Sequence, residues 1–361
     1  MGYVFPVVTM KDVALAAGVS PATVSNAFRG RTGRLSDSQR EHILQVATSL
    51  GYLGPNPAGS ALRTGVVGAL GVMFSESLSF VFDDSSAVTL LKGISHAAER
   101  ADLSLMLLPF PPHRDDVVDA DRDARIVRNS LVDGFIAYSM PDDHPAIRSA
   151  NSRRLPMVIV DAPFDHDLHY VGIRDRAAAR ICAEHLLSLG HSNIGILVDR
   201  LVPDGHRGHV TPSRLRATTE AVPRERLRGY RDGLRSGGVD WKSVALYEAG
   251  GLTIPHFDAG AERLLHDRPD LTAILAVNDE LALAVLRVCQ RREVAVPQQL
   301  SVVGFDDVAA AAAAGITTIH QDFVEKGRIA SQILIDHPDT PQKVILPTSL
   351  VIRRSTGAPP R

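Results

Sequence analysis

The residues best suited to chemistry in this chain fall into two groups. One is a run of short side chains, Ala22, Thr23, Ser25 and Asn26, behind Ser20 and Pro21. Small hydroxyl and amide groups on one helix face can hydrogen-bond base edges and let the helix lie close to the floor of a major groove. The other group closes apolar runs: Asp161 after MVIV, Asn278-Asp279 after AILAV, Asp306-Asp307 after LSVVGF, with Arg226 in RERLRGYRDGL. Polar groups at strand ends are placed to hold a ligand. Neither group has the form of a catalytic site. Asp306 and Asp307 are adjacent, so their side chains diverge and cannot share a proton. The glycines of GVVGALG do not form G-x-G-x-x-G, and neither G-x-x-x-x-G-K-[ST] nor G-x-S-x-G occurs. The histidines lack metal-ligand spacing, and Cys182 and Cys289 read as buried thiols too far apart for a zinc site. We therefore expect no enzyme activity, no cofactor and no metal.

The first group must be positioned by short helices. Thr9 caps one, with Asp12 completing a capping box, and Val13, Ala14 and Ala17 form its apolar stripe. Gly18 supplies a left-handed turn. Ser20 caps a second helix with Pro21 at its first position, and Val24, Ala27 and Phe28 face inward. Ser36-Asp37-Ser38-Gln39 is a second capping box, opening a helix through Ile43, Leu44, Val46, Ala47 and Leu50 that Gly51 ends. The first two helices read either as a helix-turn-helix or as an ordinary helical hairpin. Charge favours the former. Up to Gly65, Lys11, Arg29, Arg31, Arg34, Arg40 and Arg63 outnumber Asp12, Asp37 and Glu41, although the whole chain carries −2. A basic head on an acidic body suits phosphate contact at one end.

The second group needs a different scaffold. After Gly65, apolar runs (VVGALGVMF, LSLMLLPF, VDGFIAYSM, PMVIVDAPF, NIGILVDRL, AILAVND, LSVVGFDD) alternate with amphipathic stretches such as 88–101 and 177–189. This βαβ pattern predicts doubly wound parallel sheets, divided between two subdomains, with ligand sites at the strand ends. Residues 200–223, rich in Arg, His, Pro and Gly, read as a long surface loop that is either disordered or covers a cleft. Phe80 and Phe82, after the first strand, either stack on a ligand ring or pack in a core or lid. No apolar run approaches the ~18 residues that span a bilayer. Met1–Val8 is not a signal peptide, so a cytoplasmic protein is expected.

These segments together resemble a known family. VTMKDVALAAGVSPATVSNAF, LGYLGPN and ALRTG are similar to the headpiece of the lactose-repressor (LacI/GalR) family of bacterial transcription regulators. EHLLSLGHSNIGIL, RERLRGYRDGL, TAILAVNDELAL, LSVVGFDD, ITTIHQDF and LPTSLVIRRST continue the resemblance in the family's order. It implies an all-α helix-turn-helix headpiece (1–56), a hinge helix (57–65) and an α/β two-lobed, periplasmic-binding-protein-like effector domain (66–361). Lobe 1 is expected at about 66–164 and 322–342, lobe 2 at about 165–321 and 343–361, with crossings near Asp165, Gln321 and Ile345. The implied molecule is a homodimeric repressor on a near-palindromic operator, released or retained by a small molecule bound between the lobes. The tail after LPTSLVIRRST carries no leucine heptads, which argues against a tetramer.

The resemblance also assigns residues. Thr9, Ser20, Pro21, Ala22, Thr23, Ser25, Asn26, Arg29 and Asn56 face DNA, and Leu62 matches a leucine that wedges into a minor-groove step. Without the resemblance, Leu62 reads as packing on the body. Asn26 stands where arginine is usual, favouring adenine over guanine, Gly59 replaces a usual alanine, and Tyr52-Leu53-Gly54-Pro55-Asn56 has one residue more than the family pattern. Arg226, Asn278 and Asp306 match effector-binding positions, with Asp161 a weaker candidate. Asp279 and Asp307 read as helix caps and His191 as a structural turn residue. The effector implied is a sugar, or alternatively a nucleoside or purine; Leu252, near where several sugar-binding members place tryptophan, weighs slightly against a sugar. A sugar-binding protein of the extracytoplasmic kind shares the two-lobed body, but the headpiece argues against it.

Overall fold

The computed structural model describes residues 8–28, 35–54, 65–111, 119–165 and 167–360. Arg29, Asn56, Gly59 and Leu62 lie outside them. The chain divides into two compact units, Met1–Val67 and Gly68–Arg361.

In the first unit α1 (Met10–Ala16), α2 (Pro21–Phe28) and α3 (Asp37–Ser49) form as the caps require. The Asp12 carboxylate accepts from both the Thr9 N–H (2.8 Å) and the Thr9 hydroxyl (2.7 Å). Gly18 turns the chain at φ +66°, a region that costs a side chain 1–2 kcal/mol or so. The Thr23 N–H then donates to Ser20 Oγ at 3.1 Å, fixing the start of α2. Val13, Ala14, Val24, Ala27, Ile43, Ala47 and Tyr52 are the shared core, and Phe28 meets Tyr52 edge to face at 5.5 Å. Arg40, counted above among the cations of the head, donates through Nε to Ala27 O at 3.0 Å and ties α3 to the end of α2.

The second unit holds two sheets. The first has the order β12-β5-β4-β3-β1-β2, all parallel: β1 (Ala69–Phe74), β2 (Ser104–Pro109), β3 (Gly134–Tyr138), β4 (Met157–Val160), β5 (His169–Gly172) and β12 (Lys343–Ile345). The second has the order β10-β9-β6-β8-β7: β6 (Ile194–Val198), β7 (Gly208–His209), β8 (Ala245–Glu248), β9 (Ala273–Ala276) and β10 (Ser301–Val303), with only β7 antiparallel. β11 (Thr318–His320) and β13 (Ser349–Val351) pair antiparallel as a third, two-stranded sheet. In each of the two larger sheets the strand order reverses beside the first strand, between β1 and β3 and between β6 and β9. Crevices open at the carboxyl ends of such reversals.

Two boundaries move relative to the sequence expectation. β5 and β12 belong to the first sheet, so lobe 1 runs past 164 to Gly172 and includes 343–345. Both strands are short with polar ends, and they escape a search for apolar runs. Helix packing within lobe 2 is close. Where Ala221–Ser236 crosses Asp175–Ser188, a Cβ on Gly229 would stand 2.2 Å from Arg176 O, so only glycine fits.

Candidate functional site

A cavity of about 660 Å³ lies where the carboxyl ends of both sheets face each other. Lobe 1 contributes Phe74, Ser75 and Glu76 from the end of β1, Tyr138 and Ser139 from the end of β3, Asp161 after β4, the helical residue Phe80, and Asp84, which caps the helix Ser85–Arg100. Lobe 2 contributes Asp199 and Arg200 after β6, Arg226, Leu252, Val277 and Asn278 after β9, and Asp306 after β10. The strand-end rule accounts for Glu76, Ser139, Asp161, Asp199, Arg200, Asn278 and Asp306, while Asp83, Asp84, Glu220, Arg226 and Glu280 come from helices and their caps.

Arg226 organises this wall from the helix Ala221–Ser236. It donates to Asp175 Oδ1 (2.8 Å) and Val277 O (2.6 Å), pairs with Asp306 Oδ1 (3.0 Å), and lies 3.7 Å over the Phe305 ring. Burial works against its charge, but Asp306 and Asp175 outweigh it and raise its pKa. Gln321 Nε2 donates to the same Asp306 oxygen at 2.5 Å, which leaves Oδ2 without a partner among the described residues. Burial pushes the Asp306 carboxyl up to about 6. Gln321 in turn accepts from the fully buried Lys326, whose ammonium also pairs with Asp161. A continuous polar chain therefore runs from Asp161 in lobe 1, through the Gln321 crossing, to Arg226 in lobe 2.

Asn278 makes two bonds within lobe 2 and keeps one amide N–H free of these partners. Its Oδ1 accepts from Leu281 N–H (2.9 Å), and its Nδ2 donates to Asp199 Oδ2 at 3.0 Å. The cap of this helix is therefore Asn278 and not Asp279, as expected from sequence. Asp279 is buried and accepts instead from Thr318 Oγ1 (2.7 Å) and Val308 N–H (2.9 Å), with its carboxyl pushed up by burial to about 8. Asp307 is likewise no cap. Val308 holds that position, and Asp307 pairs with His320 (2.9 Å) and Arg353 (2.7 Å).

Phe80 lines the cavity, but Phe82 does not and is 59% exposed. The segment expected as a loop is a helix, Leu78–Asp83, in which residues two apart point to opposite sides. In α2, Ala22 is exposed and Thr23 and Asn26 are half-buried, whereas Ser25 is buried at 8% and so lies off the open face assigned to it. His191 is the structural residue expected, bound to Thr272, Ser301 and Gly357. Residues 200–223 are not a loose surface loop. They include β7 and the helix Pro212–Arg216, and Leu201 is fully buried.

Sequence reasoning missed the acidity of the cavity. Glu76, Asp83, Asp84, Asp161, Asp199, Glu220, Asp279, Glu280 and Asp306 line it, against Arg200 and Arg226. Burial raises the pKa of Asp84 (to about 6), Asp161, Asp199 and Glu220. Among the described residues no group of three or more His, Cys, Asp or Glu side chains is arranged to hold a metal ion, and no helix is long and apolar enough to cross a membrane.

Comparison with known proteins matches residues 9–56 to the bacterial regulatory proteins of the lacI family and residues 183–356 to a periplasmic binding protein-like domain. The chain is 37% identical over 354 residues to the HTH-type transcriptional regulator Rv3575c of Mycobacterium tuberculosis, covering 97% of each protein. The chain belongs to the LacI family. It is a DNA-binding transcriptional regulator with a helix-turn-helix unit and a two-lobed effector-domain fold. Among solved structures, a LacI-family regulator from Corynebacterium glutamicum is 31% identical with a TM-score of 0.74, covering 96% of this chain and 98% of that one. The lac repressor dimer bound to operator and the anti-inducer ONPF is 25% identical with a TM-score of 0.78, covering 97% and 99%.

Proposed function

We propose that this LacI-family member is a homodimeric repressor whose grip on a near-palindromic operator is set by an uncharged polyhydroxylated compound held between the two lobes. The observation that carries the reading is the cavity wall. Carboxylates accept hydroxyl protons well and repel anions; with Asp279 held mostly protonated near neutral pH, the other eight acidic side chains facing two arginines favour a sugar or polyol over sugar phosphates or carboxylic acids. Asp306 Oδ2 accepts a ligand hydroxyl, Phe80 and Tyr138 offer ring faces, and Arg226 holds Asp306 in place. Asn278 and Asp161 act chiefly by fixing their neighbours, being already bonded to Asp199 and Lys326. A nucleoside is the second reading, favoured by Phe74, Phe80, Tyr138 and Phe257 around one cavity.

On the DNA side, Ala22, Thr23 and Asn26 read base edges, while Ser20 and Pro21 set the angle of α2. Thr9 and, outside the described residues, Arg29 and Asn56 meet phosphates, and Leu62 wedges into a minor-groove step. The relative solved with operator is a dimer, which supports the same assembly here, and a regulator of this kind works in the cytoplasm. Selection of duplexes from a random pool by the purified protein tests this reading. A two-fold symmetric consensus supports it; recovery of sequences without symmetry refutes the dimeric operator.

A further inference from the structure

The segment between β6 and the helix Ala221–Ser236 begins and ends at the cavity, with Arg200 and Glu220 in its wall. Its base is fixed to lobe 2 by Glu248, a fully buried carboxylate at the end of β8. Glu248 accepts from Leu201 N–H at 2.7 Å and from the Arg214 guanidinium at 2.8 Å on both oxygens. From that base the segment touches lobe 1 at two places. Arg200 donates to Glu220 within its own lobe (2.8 Å) and to Glu76, just after β1, at 2.8 Å. Farther along, Thr219 O accepts from Asp142 N–H at 3.0 Å, and the Arg224 guanidinium meets the Asp142 carboxylate at 2.5 Å.

We infer that residues 200–220, together with Arg224 in the first turn of the helix that follows, are a strap that sets how far the two lobes close on their ligand, with Arg200–Glu76 and Arg224–Asp142 as its latches. The charge pattern supports this role. Arg200 is largely buried in a wall otherwise crowded with carboxylates, where its attraction to Glu76 opposes the repulsion that Asp84 meets from Glu280 and Asp199 across the cleft. A ligand acts on such a protein only through its different affinities for open and closed states, so contacts that bias closure govern how much ligand is needed. Arg200 is on this account a positioning residue. The inference uses the cavity reading only for what the strap encloses, and its test needs no effector.

The test measures the distance between the lobes in the free, full-length protein. Spin labels are placed at His96→Cys in lobe 1 and Arg263→Cys in lobe 2, both exposed and outside the cavity wall, and the labelled chain is diluted with unlabelled chain. Cys182 and Cys289 are buried and do not compete for label. Glu76→Gln with Asp142→Asn removes the charge from both latches at partly exposed carboxylates while keeping side-chain shape, leaving only hydrogen bonds to neutral acceptors in their place. The expected result is a rise of roughly two- to thirtyfold in the ratio of open to closed populations, seen as a longer interlobe distance. The Asp142→Asn variant alone, at a site 35% exposed and safe for folding, should shift the same way by less. An unchanged or shortened distance distribution in both variants would overturn the strap. Failure to find an operator or an effector would leave this result standing, so the two readings fail separately.

Discussion

Replacing Asp306 by asparagine tests the ligand site with little disturbance to the fold. The carboxylate makes two bonds through Oδ1, to Arg226 and Gln321, and an asparagine oxygen can keep both. Arg226 retains Asp175 and Val277 O, so its charge is not stranded. What is lost is the negative charge and the acceptor at Oδ2. A hydrogen bond to a charged group contributes ~1.5–3 kcal/mol, so the ligand concentration needed for half-saturation should rise roughly ten- to a hundredfold. The assay is calorimetric titration near pH 7.5 with whichever compound of a sugar, polyol and nucleoside panel most raises the parent's melting temperature. The pH dependence gives a second check. Burial sets the Asp306 carboxyl at about 6, so the parent's advantage should shrink as pH falls through that value and its carboxyl takes up a proton. For stability the sign is opposite. A raised carboxyl pKa costs the parent stability as pH rises from ~4 to ~6, a loss the variant escapes, so Asp306→Asn should compare no worse in melting near pH 7.5 than near pH 5. A folded Asp306→Asn protein with the parent's half-saturation at about pH 7.5 would refute the assignment.

Arg226 is a poorer probe, because truncation leaves Asp175 and Asp306 buried without their cation; Arg226→Met should lower stability by ~3–5 kcal/mol in denaturant titrations, and a loss below ~1 would contradict the buried network. Asp279, pushed up by burial to about 8, gives the parent stability that is full near pH 4 and lost as pH rises toward 8. Relative to Asp279→Asn, the parent should therefore weaken by up to ~1.4 kcal/mol per pH unit across that window, and parallel curves would show that the carboxyl is not so perturbed. Gly93→Ala should cost ~1–3 kcal/mol or more in thermal melts, since its Cβ would stand 1.9 Å from Val324 O; an unchanged melt would mean that the helices Ser85–Arg100 and Phe323–Asp336 separate freely. Ser20→Ala removes the cap of α2 and should cost ~1 kcal/mol, visible as earlier loss of helix-turn-helix signals on heating, with the body's transition unmoved.

How much of this was legible in the sequence depended on how local the determining physics is. Caps and turns are written in three or four consecutive residues, and Thr9-Asp12, Gly18, Ser20-Pro21 and Ser36-Gln39 all act where the sequence puts them. Strand ends were equally readable, since an apolar run stops where the sheet stops, and Asp161, Asn278 and Asp306 followed from that. Periodicity failed where an element is short. Leu78–Asp83 has too few residues to show a helical stripe, so Phe82 was misplaced, and β5 and β8 hid behind polar ends. It failed again at Ser25, whose burial is decided by the packing of three helices and not by its own polarity. The acidity of the cavity and the Arg200–Glu76 pair were out of reach, because they join residues more than a hundred positions apart. The same holds for Asp279, which looks like a cap in sequence and is claimed by Thr318 and Val308 in space.

The central claim is that one chain couples a ligand in the acidic cavity to the strength of its grip on DNA. It is tested most directly by fluorescence anisotropy on the symmetric duplex recovered by selection, titrated at fixed salt with and without a saturating amount of the compound that most stabilises the parent. The account predicts that the compound changes the apparent Kd for that duplex by at least about tenfold, corresponding to ~1.4 kcal/mol of coupling, and that Asp306→Asn raises the compound concentration needed for half of that change by roughly ten- to a hundredfold while leaving the unliganded Kd within about twofold. A compound that binds the parent at this cavity and leaves the Kd for the duplex unaltered would contradict it.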